Sequence, residues 1–143
     1  MDISKLTVET VHCLDVLAID LTDTDSTVQA TLTADMHYLV GFSDRSTLSV
    51  LVPAGFVSDL ASIPRLFWSI PGFSPLDRSG RSAIFHDWCY STRSTGILPE
   101  FSRLQADDAL SACLEDEGEN VVIRALIEEA VRAFGAGHWK KTA

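Results

Sequence analysis

Positive charge is scarce in this chain. Its 143 residues carry 11 Lys and Arg against 20 Asp and Glu, for a net charge of −9 at pH 7. Nucleic-acid backbones are held mainly by Lys and Arg contacts to phosphate, so direct nucleic-acid binding is not expected. An anionic membrane surface repels the chain too, apart from a small basic patch at His138, Trp139, Lys140 and Lys141 that reads as a solvated tail. Cysteine is also scarce: Cys13, Cys89 and Cys113 give an odd count of 3 with no C-x-x-C. That excludes a full disulfide framework and removes support for a zinc ribbon. The usage fits a reducing compartment with each thiol acting as a small apolar group, and leaves a single bridge open. No apolar run is long enough to cross a bilayer, and the opening "MDISKLTVETVH" lacks the basic start and apolar stretch of a signal peptide. A Gly-rich phosphate loop, a G-x-S-x-G elbow and an H-E-x-x-H helix are all missing.

What is present divides into halves of different periodicity. Hydrophobic residues make up 46% of the chain, ordinary for a globular protein, and the length suits a single domain over residues 1–143. The first half reads as β. Val8 to Leu21 mixes β-branched and polar residues without helical spacing. "STVQATLT" (Ser26 to Thr33) alternates, with Val28, Ala30 and Leu32 on one face. "MHYLVGF" and "STLSVLVP" flank "SDR" as a hairpin. Prolines 53, 64, 71 and 75 then interrupt an apolar, irregular stretch in which Pro64 suits the start of a short helix. The second half reads as three helices. One is capped by Asp77 or Ser79 and runs to about Ser91. A second opens on the "SRLQ" capping box at Ser102 and ends at Gly118, with Leu104, Ala109, Leu110, Cys113 and Leu114 near one face. A third runs from about Asn120 to Phe134, burying Val122, Leu126, Ile127, Ala130, Val131 and Phe134, and stops at Gly135. The expected fold class is α+β: a small antiparallel sheet from the N-terminal half packed by about three helices from the C-terminal half.

Candidate chemistry concentrates in "AIFHDWCYST" (Ala83 to Thr92). Consecutive helix residues point about 100° apart, so His86 and Asp87 cannot pair with each other. Each must find partners elsewhere: His86 as a general base, Asp87 as a ligand for a hard cation. Tyr90, four residues on, shares the His86 face. The alternative is a satisfied, partly buried histidine beside a surface aspartate. Asp59, in "GFVSDLASIP", is either a turn former or a site residue on a loop. Asp107, in "SRLQADDAL", either pairs with Arg103 on the helix surface or reaches across to orient His86 or Tyr90. Cys89 reads as a buried structural thiol, and His12 and His37 as structural residues of strands.

Four pieces carry a family resemblance: "VPAGFVSDLASIPRLFW" (Val52 to Trp68), "AIFHDWCY" (Ala83 to Tyr90), "SRLQADDAL" (Ser102 to Leu110) and "AVRAFGAGHW" (Ala130 to Trp139). In that order they resemble a family encoded by bacteriophages and prophages, domain of unknown function 1353. The resemblance covers roughly the last two thirds of the chain, and its most specific part is the string from Gly55 to Pro64. Within it, "HDWCY" is similar to the active-site helix of calcium-dependent secreted phospholipases. That similarity implies His86 as the base, Asp87 as the calcium ligand, Asp107 as the carboxylate that orients the histidine, and Tyr90 near that network. The glycine-rich, cysteine-bearing calcium loop and the dense disulfides of those phospholipases are absent.

Two functions follow as expectations. The first is a virion or tail-associated phage protein, present in the particle or in the host cytoplasm during assembly, working through contacts with other phage structural proteins. There the His86, Asp87, Asp59 and Asp107 cluster is a buried polar network. The second is a metal-assisted hydrolase of cell-envelope lipid or peptidoglycan. There His86 is the base, and Asp87 and Asp59 hold calcium, zinc or another divalent ion.

Overall fold

The structure, a computed structural model, describes residues 3–23, 28–58, 80–92, 101–134 and 139. Strands come first and helices second: β1 (Val8–Cys13), β2 (Ile19–Asp23), β3 (Val28–Leu32), β4 (Met36–Phe42), β5 (Thr47–Val52), β6 (Val57–Ser58), then α1 (Gly80–Thr92), α2 (Arg103–Asp116) and α3 (Val121–Phe134). The fold is α+β. The strands form two three-stranded antiparallel sheets, β1-β4-β5 and β2-β3-β6, where one small sheet was expected.

The division arises at Leu14 to Ala18. The Leu14 N–H still donates to the His37 carbonyl at 2.9 Å. Asp15 Oδ2 then takes the His37 N–H at 2.6 Å, replacing the next backbone acceptor and ending the ladder. By Ala18 the chain has changed partner: its carbonyl accepts from Thr33 beside β3. A single expected stretch, Val8 to Leu21, therefore becomes one strand in each sheet. His37 Nδ1 also meets Asp15 Oδ2 at 2.8 Å, and His12 Nδ1 meets Asp116 Oδ1 at 2.6 Å, so both histidines sit in strands and make exposed hydrogen-bonding contacts to carboxylates.

Alternation places the core. Met36, Tyr38, Val40 and Phe42 of β4, with Val50 and Val52 of β5, are buried toward the helices. Ala30 and Leu32 of β3 are buried as their alternation predicts. A Cβ on Gly41 would stand 2.3 Å from Thr10 Oγ1, so glycine there admits the irregular register between Val8 and Thr10.

α1 is buried on nearly every side. Phe85 packs on Tyr38 of the first sheet, with ring centroids 4.6 Å apart. Trp88 meets Phe56, next to the second sheet, edge to face at 5.1 Å. α2 lies between β1 and the other two helices. α1 and α2 run antiparallel, since Arg81 meets Glu117, His86 meets Asp107 and Tyr90 meets Arg103.

The helix surfaces differ from expectation in three places. Leu104, Val122 and Leu126 are 58%, 62% and 43% exposed. α3 packs chiefly on α2, so a narrow strip of Ile127, Ala130 and Val131 suffices for its contact. In α2 the buried face is led by Gln105 and Ala106 rather than Leu104, because Gln105 Nε2 donates inward to the carbonyls of Ile3 and Leu6 at 2.7 and 2.8 Å. Phe134's side chain, Asp59, Pro64 and Gly135 lie outside what is described.

The capping box is formed in both directions: Ser102 Oγ accepts from the Gln105 N–H at 3.0 Å, and Gln105 Oε1 accepts from the Ser102 N–H at 2.8 Å. Ser102→Ala is expected to lower stability by about 1 kcal/mol, read from urea unfolding. A loss below a few tenths of that would mean water replaces the cap without penalty. At the other end Gly118, with φ 79°, closes α2 through the bonds from Gly118 to Glu115 and from Glu119 to Leu114, a Schellman arrangement.

Candidate functional site

Two helices build the site. α1 offers His86 and Tyr90 from the same face, one turn apart, and their rings lie 4.3 Å apart at 43°. α2 runs alongside and offers Arg103 and Asp107, also one turn apart. His86 Nε2 lies 2.8 Å from Asp107 Oδ1, and the Tyr90 hydroxyl donates to the same oxygen at 2.6 Å. Arg103 Nε donates to the Tyr90 oxygen at 3.4 Å and stands 3.9 Å from Asp107 Oδ2.

Donor logic fixes the hydrogens. Tyr90 spends its hydroxyl proton on Asp107, so its oxygen is free to accept from Arg103. Asp107 then acts only as an acceptor, and Nε2 of His86 must carry a hydrogen to approach it. A carboxylate shared by two donors and balanced by a guanidinium is the condition under which a buried charge is tolerated. Burial is complete: His86 is 0%, Tyr90 1% and Asp107 2% exposed. Burial, and then the bond to Asp107, raise the Tyr90 hydroxyl well above the usual phenol range, so it stays protonated as a donor. Arg103 has a second task. Its Nη2 donates to the carbonyls of Val131 and Arg132 at 2.8 and 2.6 Å, tying the last turn of α3 to the site. Trp139 closes the outer side, edge-on to Tyr90 at 5.0 Å.

His86, Tyr90 and Asp107 are thus in direct contact. Asp87 points elsewhere on α1 and is half-buried, with its carbonyl accepting from Ser91 at 2.7 Å. Asp59, its expected companion, is not among the described residues. Calcium takes six to eight oxygen ligands. Among the described residues no group of three or more His, Cys, Asp or Glu side chains could hold a metal ion. Cys89 is buried, and burial raises its thiol far above the ordinary value, which suits a packing role rather than a nucleophile.

Two contributors were not assigned to the site from sequence. Arg103 was visible as the residue four before Asp107, but its reach to α3 was not. Trp139 stands in a short basic run and reads as tail, yet it is partly buried against Tyr90.

Fold and network define an α+β protein whose two antiparallel helices share a buried His–Asp–Tyr cluster. The chain belongs to the family described as Protein of unknown function (DUF1353), which matches residues 30–131. That span contains every member of the network except Trp139. No curated protein and no solved structure matches the chain. Among the described residues no helix is long and apolar enough to cross a membrane.

Proposed function

We propose that the chain is a small hydrolase of bacteriophage origin in which His86 takes a proton from the attacking water. The observation that carries this reading is the single oxygen of Asp107, which receives both His86 Nε2 and the Tyr90 hydroxyl. Asp107 fixes the ring and favours the imidazolium that proton uptake creates. Substrates would be esters or amides of the cell envelope, lipid or peptidoglycan. The phage setting rests on the family resemblance: a place in the particle or tail among other phage structural proteins, and the host cytoplasm during assembly. In this reading Asp87 and Asp59 are the residues that would hold a divalent ion.

One observation favours a second reading. His86 is 0% exposed, so a substrate reaches it only if covering groups move. If they do not, the network is a structural lock between α1 and α2 in a virion protein.

One assay separates the two. Wild type, His86→Gln and Asp107→Asn are incubated with phospholipid vesicles and purified peptidoglycan, with calcium, with zinc and with chelator, beside melting curves. The hydrolase reading expects turnover in wild type, reduced about 10²- to 10⁴-fold in His86→Gln while the fold persists. Turnover loss in the chelator alone would place a metal in the reaction. No turnover in any condition, together with lower melting temperatures in both variants, would sink the hydrolase and leave the lock.

A further inference from the structure

A second buried carboxyl lies where α1 begins and α2 ends. The Glu117 side chain is 1% exposed. Its Oε1 lies 3.4 Å from Arg81 Nε and accepts a weak bond from the Cys113 thiol at 3.8 Å. Its Oε2 is buried with no completed hydrogen bond among the described residues. Ser82 Oγ is buried and, among the described residues, also lacks a completed bond, although its hydroxyl and backbone N–H are near enough to favour the ionised carboxyl, against the larger effect of burial. An ionised carboxylate asks for several strong donors. This one receives a thiol and one edge of a guanidinium on Oε1, with the Ser82 hydroxyl and N–H close by but no completed bond on Oε2 among the described residues. The neutral acid asks for much less, and its hydroxyl is a donor that Ser82 Oγ can accept.

We propose that Glu117 is a proton-operated latch between α1 and α2, closed when its carboxyl is neutral and loosened when it ionises. The groups around it leave that role to Glu117. From α1 come Arg81, whose Nη1 also reaches the Asp15 carbonyl at 3.5 Å, and Ser82. From α2 come Cys113 and Asp116, the latter turned to His12 at 2.6 Å. Cys13 of β1 and Tyr38 of β4 complete the surroundings, and the Tyr38 hydroxyl donates to the Arg81 carbonyl at 2.7 Å. Burial raises both thiols and the Tyr38 phenol, so they stay neutral near pH 7. Burial likewise pushes Glu117 up from 4.5 to about 7, with Arg81 the main opposing influence.

The sign follows from linkage. The folded chain holds a proton on Glu117 that the unfolded chain has released, from about pH 4.5 to about pH 7. The stability this proton supplies is fully present below 4.5 and lost as pH rises through about 7. The latch goes beyond the hydrolase reading and does not depend on it.

The test is a titration of the Glu117 Cδ resonance by carbon-13 NMR, with melting curves of wild type and Glu117→Gln over the same pH range. Glu117 is expected to titrate near neutrality. The wild-type melting temperature should fall relative to Glu117→Gln by several degrees as pH rises through that window. Arg81→Gln, a half-exposed change that spares the core, should move the midpoint upward. A Glu117 midpoint near the ordinary glutamate value, parallel melting profiles, or an unmoved midpoint in Arg81→Gln would each overturn the latch. If Glu117→Gln does not fold, the wild-type and Arg81→Gln titrations decide it.

Discussion

Asp107→Ala is expected to lower stability by about 3–5 kcal/mol, the range for removing one partner of a buried charge pair. At about 3–4 °C per kcal/mol for a chain of this size, the melting temperature should drop by roughly 10 °C or more. The loss is large because Asp107 Oδ1 serves two donors at once, His86 at 2.8 Å and Tyr90 at 2.6 Å. Neither donor is exposed enough to recruit bulk water. Arg103 also loses the countercharge 3.9 Å away and keeps only its bonds to Tyr90 and to the end of α3. Asp107→Asn keeps the acceptor oxygen and should cost less, about 1–3 kcal/mol, since it forfeits the charge but not both bonds. The shared oxygen also predicts non-additivity. In a double-mutant cycle with Tyr90→Phe, a coupling of about 0.5–3 kcal/mol is expected. Urea unfolding of the five chains supplies all the numbers. An Asp107→Ala cost below about 1 kcal/mol, or strict additivity with Tyr90→Phe, would show that the network is not the shared acceptor its distances describe.

The network was legible in the sequence to an unusual degree, and the reason is helical spacing. His86 and Tyr90 are four apart, as are Arg103 and Asp107, so each pair lies on one face before any tertiary information enters. The step between the pairs needed only that two consecutive helices pack side by side. Strand alternation was equally readable: Met36, Tyr38, Val40 and Phe42 face inward as their period of two requires. The split into two sheets was not readable, because it depends on Asp15 capping His37, 22 residues away. The exposure of Val122 and Leu126 was hidden for a related reason. Periodicity shows that a helix has an apolar side, but not how wide a strip its neighbour covers, and α3 leans chiefly on α2 alone. Glu117 gave no local signal. It stands in an acidic run, "EDEGEN", that reads as solvated, and only the antiparallel return of α2 beside the start of α1 buries it. Asp59 was singled out by sequence and lies outside the described residues, so its pairing with Asp87 stays a matter for the metal arms of the hydrolysis assay.

Phe85→Ala should match Asp107→Ala in size, by a different route: about 3–5 kcal/mol from lost transfer energy and the cavity left behind. Phe85 is 0% exposed and links the aromatic side chains that hold α1 to the first sheet. Its ring lies 4.6 Å from Tyr38 and 6.4 Å from Phe101, and Phe101 in turn meets Phe42 edge-on at 6.3 Å. The cavity would open beside the Tyr38 hydroxyl, whose 2.7 Å bond to the Arg81 carbonyl fixes the first turn of α1. Packing and hydrogen bonding therefore weaken together. The consequence reaches the site because Phe85 and His86 are consecutive, about 100° apart around the helix. Phe85 seated on the sheet sets the roll of α1, and that roll delivers Nε2 to Asp107. Phe85→Leu fills most of the volume and should cost clearly less than the alanine variant, with the His86 ring resonances little changed. Phe85→Ala, at a temperature where it is still folded, should shift those resonances as the helix rolls and the 2.8 Å contact lengthens. Equal costs for the two variants would deny the cavity argument. Unchanged His86 resonances in the alanine variant would show that α2, rather than the sheet, sets the roll of α1.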